Sequence, residues 1–154
     1  AFAAMDSAQL AALTTAQAAA LTVAQLQALD TLQISQLETA DIAALTSGQI
    51  SALSTASITA LTTEQVVGLT VNQVAWLTTA QVANMSTTQV AAMETADLRA
   101  LTTAQAAVLT SDQLAALNTV QFAALETQDL RAVNAEADFT TYNVARIVVC
   151  SRTR

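Results

Sequence analysis

The chain has no histidine, no lysine and no proline, and holds one cysteine and two glycines in 154 residues. Each shortage removes a class of chemistry. Without histidine, a serine nucleophile lacks its usual base, and the commonest metal ligand is missing. One cysteine, Cys150, excludes an internal disulfide framework and any cysteine cluster for a metal. Two isolated glycines, Gly48 and Gly68, cannot form a phosphate-binding loop. Aromatic residues are 3% of the chain, so the core must be aliphatic and thin, although 53% of residues are hydrophobic. Charged residues are only 11%, and that balance opposes ordinary disorder, which requires many charges and few apolar groups.

The charge that exists is negative, with a net of −7. Residues 5–132 carry ten acids and two arginines, whereas residues 133–154 are net +1. A basic footprint for nucleic acid is absent. No apolar run approaches the roughly 20 residues of a membrane helix, because Thr or Gln interrupts it, so no membrane insertion is expected. No signal peptide is visible, and the chain starts at Ala1 rather than Met, as a processed product or a fragment would.

What fills the space is a repeat. Sixteen octapeptides run without insertion from Met5 through Leu13, Leu21 and so on to the unit beginning at Leu125. Slot 1 is Leu thirteen times and Met three times; slot 2 is Thr, Ser, Asp, Asn or Glu; slot 3 is mostly Thr or Ser. Slot 4 varies, slot 5 is Gln in twelve units, slot 6 is apolar, slots 7 and 8 are mostly Ala. A period this strict gives every unit the same structural part and implies a linear array.

The slots spell a helix start. Thr at slot 2 with Gln at slot 5 is a capping box, and the apolar residues at slots 1 and 6 form the hydrophobic staple around it. Leu61-Thr62-Thr63-Glu64-Gln65-Val66 is one complete signal. A helix restarted every eight residues cannot run on. The expected fold is therefore an all-α solenoid of very short helices, one per octad, spanning slots 3–8 with a sharp turn at slots 1 and 2. A single long helix fails because eight residues turn about 800°, so the apolar pair would spiral with no fixed face to bury. A β-solenoid fails because slots 1 and 6 have opposite parity and would face opposite sides of a strand. The domain reading is 1–4 as an N-terminal stub, 5–132 as one solenoid, and 133–154 as a degenerate repeat with a cap or tail. The β-prone stretch Phe139–Cys150 in that tail could cover the last rung, pair with another chain, or be non-native sequence.

Three features depart from the repeat. Trp76 and Phe122 are oversized for slots 8 and 6, which calls for a local bulge, a groove or a contact site. Every Glu at slot 2 comes with an acid at slot 5: Glu38 with Asp41, Glu94 with Asp97, Glu126 with Asp129. Acids favour helix N-termini, and a cap shifted to Thr39, Thr95 or Thr127 would accommodate both. A Ca²⁺ site needs six to eight oxygens. With two, three or four octads per turn, at most two of the pairs share a face, and Arg99 and Arg131 would more simply neutralise two of them. No catalytic, cofactor-binding or metal residue is therefore assigned.

The unit Leu-Thr-Thr-x-Gln-Val-x-Ala resembles the octapeptide low-complexity repeats of large exported or surface proteins of proteobacteria. That resemblance implies a bacterial source, an extracellular or cell-surface location, and a spacer or adhesive role. The expected function is a non-catalytic structural segment, a rigid spacer or scaffold of a larger surface or filament-forming protein. Its expected partner is protein, including itself by head-to-tail stacking, with no nucleic acid. The alternative is a binding module using the acidic or Thr-rich face toward a protein partner, as a DNA mimic, or on ice or polysaccharide.

Overall fold

The computed structural model describes residues 5–125, and over these the chain is an all-α solenoid. Fifteen helices of five or six residues follow one another in this span, from α1 (Ser7–Ala11) to α15 (Thr119–Ala124). The expected octad-by-octad helix is what forms, ending at slot 7 or slot 8. The stub at 1–4 and everything from Glu126 onward, the tail included, lie outside the described residues.

Wherever slot 5 is Gln, the start is the capping box read from the sequence. At Thr70 the hydroxyl accepts from the Gln73 amide at 3.3 Å, and Gln73 Oε1 accepts from the Thr70 amide at 2.9 Å. Asp6, Asp30 and Asn118 fill slot 2 in the same way, their side chains accepting from the glutamine amide three residues on. Each helix stops because slot 1 leaves the helical region. Leu45 has φ −64 and ψ 140, and Thr46 follows at φ −77 and ψ 166, so two extended residues make the corner. No residue with positive φ is required, which is why the corners need no glycine.

Helices six residues long do not persist alone, since nucleation costs more than their few bonds return. Tertiary packing holds them, and its rule from α2 onward is that each helix lies against the one three units further along. One column consists of α2 (Thr15–Ala20), α5 (Thr39–Ala44), α8 (Thr63–Val67), α11 (Thr87–Ala92) and α14 (Ser111–Ala116). A second is α4 (Thr31–Ser35), α7 (Thr55–Ala60), α10 (Thr79–Asn84) and α13 (Thr103–Ala107). The third is α3 (Val23–Gln27), α6 (Ser47–Ala52), α9 (Val71–Trp76), α12 (Thr95–Ala100) and α15. Three octads, 24 residues, therefore complete one turn.

Slots 1 and 6 fill the axis as one continuous apolar cluster from Leu10 to Leu125. Burying each such side chain contributes about 1.5–3 kcal/mol. Phe122 belongs to this column and is buried, so its extra size is absorbed inside. At slot 8, Gly68 lets α8 end close against the start of α5; a Cβ there would lie 3.1 Å from Thr39 Cβ.

The second task of slot 5 is not visible from local patterning. Gln73 is 1% exposed, and its Nε2 donates to the carbonyls of Ile42 at 2.8 Å and Leu45 at 3.0 Å. These are the last carbonyls of α5, 31 and 28 residues back. Gln49, Gln65, Gln81, Gln89, Gln105 and Gln113 repeat the pattern, each reaching the residues 28 and 31 positions earlier. One side chain thus starts its own helix and closes the end of another in the preceding turn.

The cap shift expected at the acidic units does not occur. Glu38 and Glu94 remain the N-caps, and α5 and α12 start at Thr39 and Thr95. The inter-turn packing sets where the chain turns, so the residue at slot 2 keeps the extended cap geometry whatever its side chain. The third such cap, at Thr127, falls outside the described residues.

Gln73→Ala should cost about 2–4 kcal/mol, because buried carbonyls lose their donor. Gln17→Ala should cost less than about 1 kcal/mol, since Gln17 is exposed and makes only its local box. Gln73→Glu should destabilise at neutral pH by setting a carboxylate against two carbonyls, with partial recovery on acidification when an O–H donor appears. Urea denaturation at pH 7 and pH 4 reads all three; equal costs for Gln17→Ala and Gln73→Ala would contradict the assignment.

Candidate functional site

Slot 5 departs from Gln at three described positions: Asp41, Ser57 and Asp97. All three are buried. Ser57 keeps only local bonds, its amide donating to Ser54 Oγ at 3.0 Å and the two hydroxyls lying 2.8 Å apart. An aspartate cannot replace the glutamine in full, because a carboxylate has no N–H with which to close the earlier helix.

The two aspartates solve this differently. Asp97 Oδ2 accepts from the Glu94 amide at 3.1 Å and so retains the local half of the box. Burial raises the Asp97 pKa above its ordinary value; the Glu94 N–H bond opposes that shift and the Glu94 charge adds to it. Asp41 makes no such bond. Its Oδ2 is buried with no hydrogen-bond partner, and Glu38 makes no side-chain cap bond. Burial is again the main cause of a raised Asp41 pKa, followed by the Glu38 charge. Glu64, on the exposed slot 4, is shifted the other way, chiefly by its own backbone N–H and then by the Thr62 hydroxyl.

The three-unit turn separates the acidic pairs. Glu38–Asp41 lies on the column of α5 and Glu94–Asp97 on that of α12, so the two share no side of the rod. Glu126, Asp129 and Arg131 lie outside the described residues. No group of three or more His, Cys, Asp or Glu side chains gathers among the described residues. Arg99 shares its helix with the second of these pairs. It stands exposed in the last turn of α12, and Asp97, two residues away, projects from a different face. The helix C-terminus is what its charge favours.

The remaining candidates sit on the surface. Trp76 ends α9 as a residue 39% exposed, so its extra bulk is not taken into the core. Val23, Val71 and Val120 are also exposed on the column of α3, α9 and α15 that carries Trp76, separated along it by α6 and α12, whereas Leu32 and Val67 lie on the other two columns. The slot 2 hydroxyls are engaged as caps, whereas slot 3 Thr15, Thr39, Thr63 and Thr87 are exposed one per turn along a single column. A shallow notch lined by Thr39, Thr63, Glu64, Val67 and Gly68 lies between α5 and α8.

The sequence model of the ALTTAQ repeat family matches residues 2–38, 34–71 and 90–127, together 108 of the 154 residues. This chain belongs to the ALTTAQ repeat family. The name spells slots 8 and 1 to 5 of the octad, the corner, the cap and the glutamine. No curated protein and no solved structure matches the chain. In the terms of the ALTTAQ repeat, Asp41, Ser57 and Asp97 replace its final glutamine, and residues 72–89 keep the octad outside the matched segments.

The raised Asp97 pKa has a definite sign in stability. Its contribution is fully present below the unfolded value of about 3.9 and is lost as pH rises through the higher folded value. Asp97→Asn removes the titration while keeping a carbonyl for the Glu94 amide. The variant should exceed the wild type in stability at pH 7, with the gap closing toward pH 3. Melting temperatures taken across this range test it; a gap that is constant with pH would refute it.

Proposed function

We propose that this ALTTAQ-repeat chain is a rigid, non-catalytic spacer or scaffold segment of a larger protein. The observation that carries the reading is the glutamine bond from each turn to the turn before it. It is repeated along the rod with the same spacing of 28 and 31 residues, and it joins α-helices end to start rather than shaping a cleft. Such a rod spends its polar groups on its own continuity. Uniform units suit a part whose job is length and stiffness.

Among the described residues the bonding scheme also has no built-in stop. Gln9, Gln17 and Gln25 complete their local boxes, and beyond them each turn offers the next the same amide donors and carbonyl acceptors. Further octads of a longer chain, or another copy stacked head to tail, would meet the same edge, a contact that does not close on itself. This supports the filament-forming form of the reading. The bacterial source and the extracellular or surface setting rest on the resemblance of the octad to repeats of large exported proteins.

A spacer of this kind grows along one axis only. Stacked helices stand about 8–10 Å apart. Inserting three octads between Asn84 and Met85 should therefore lengthen the particle by about 8–10 Å without thickening it. Small-angle X-ray scattering measures both the maximum dimension and the cross-section. An insertion that enlarges the cross-section and leaves the length unchanged would rule the spacer out.

A further inference from the structure

We infer that Asp41, Glu38 and the carbonyl oxygens of Leu10 and Leu13 form a binding site for a hard cation of the calcium type. This goes beyond the spacer reading, which requires no ligand. Register brings these groups together. Slot 5 glutamines in neighbouring units donate to the residues 28 and 31 positions back, as Gln49 does to Leu21 at 2.7 Å and Ala18 at 3.0 Å. For Asp41 those positions are Leu13 and Leu10. The N–H₂ group that would lie between the turns is replaced by a carboxylate. The place keeps its two carbonyl acceptors, Leu10 still bonded to the Leu13 amide at 3.1 Å, and gains a carboxylate whose buried Oδ2 meets no donor.

Size points the same way. Aspartate is one methylene shorter than glutamine, so its tip falls back by one C–C bond, about 1.5 Å. Added to the 2.7–3.0 Å that separate Gln49 Nε2 from its carbonyls, this leaves slightly over 4 Å between oxygen and oxygen. A direct O–H···O bond from a protonated Asp41 spans only about 2.7 Å and cannot close that gap. A cation with oxygens at about 2.3–2.6 Å spans it when the two oxygens are set at an obtuse angle about the ion rather than directly opposite each other. A lone water satisfies two acceptors and leaves both carboxylate charges in place.

The side chain is poised for such a ligand. Asp41 is 2% exposed, its Oδ2 is buried and unpartnered, and it has given up the cap bond that Asp97 keeps. Glu38 makes no side-chain cap bond, which leaves its carboxylate available. The Leu10 carbonyl lies in the last turn of α1 and that of Leu13 just past the C-cap Ala12, at the helix end that favours a cation. Two carboxylates and two carbonyls supply four oxygens, and water completes the six to eight that calcium takes. So few protein ligands imply weak binding, with Kd on the order of 10⁻⁴–10⁻³ M.

The test uses the full chain, stripped with a chelator and titrated with calcium chloride to about ten times that Kd, read by thermal melting and isothermal titration calorimetry. Calcium should raise the melting temperature of the wild type. Asp41→Gln restores the residue that most units carry, so it folds, and it should abolish both the shift and the heat of binding. Glu38→Thr should weaken affinity by on the order of tenfold, and Asp97→Gln should leave it unchanged. No response in the wild type, or a response that survives Asp41→Gln, overturns the proposal.

Discussion

A buried glutamine amide has two ends, and this protein uses both. The oxygen accepts from the amide that opens its own helix, and the nitrogen donates to carbonyls that close a helix one turn earlier. Helices of five or six residues have more unpaired backbone groups at their ends than bonds in their middles. Any fold built from them must satisfy those ends repeatedly. The glutamine satisfies a start and a finish at once, and it can do so only if the next turn is in register. Local capping and global stacking become the same interaction.

That constraint accounts for the regularity of the chain. An extra residue in one unit would rotate the next corner and carry the glutamines above it off their carbonyls, so the octad admits no insertion. The slots that face the axis need only be apolar and of moderate size, and Leu, Ile, Val, Met and Phe122 all serve. The corner needs only two extended residues, so it is made without glycine or proline. The outward slots are free, which is why slot 4 holds Leu32, Gly48, Glu64 and Asp112 without consequence for the path. Variation inside slot 5 is different in kind, because Asp41, Ser57 and Asp97 each remove the tie between turns and leave oxygen where a donor stood.

Much of this is legible from the residues alone. The restart at each Thr or Asp, the staple of slots 1 and 6, and the rejection of a straight helix follow from interactions three to five residues apart, which a single sequence displays. The number of units per turn is not legible, because nothing local distinguishes a corner that closes in three steps from one that closes in two or four. The inter-turn bond of Gln73 is hidden for the same reason: its partners Ile42 and Leu45 are a whole turn away, while its local partner Thr70 already explains its presence. The expected cap shift at Thr39 and Thr95 fails because the packing that sets each corner overrides local side-chain preference. The acid pairing of slots 2 and 5 is visible in the sequence, but its meaning depends on slot 5 facing inward.

The most direct measurement is the side-chain amide spectrum of the glutamines by NMR. If the nitrogen of slot 5 joins the turns, the Nε2 protons of Gln49, Gln65, Gln73, Gln81, Gln89, Gln105 and Gln113 will be dispersed in shift and exchange slowly with solvent, while those of Gln9 and Gln17 exchange fast. If all of these side-chain amides collapse to one free-glutamine position and exchange at one rate, the turns are not held together by glutamine.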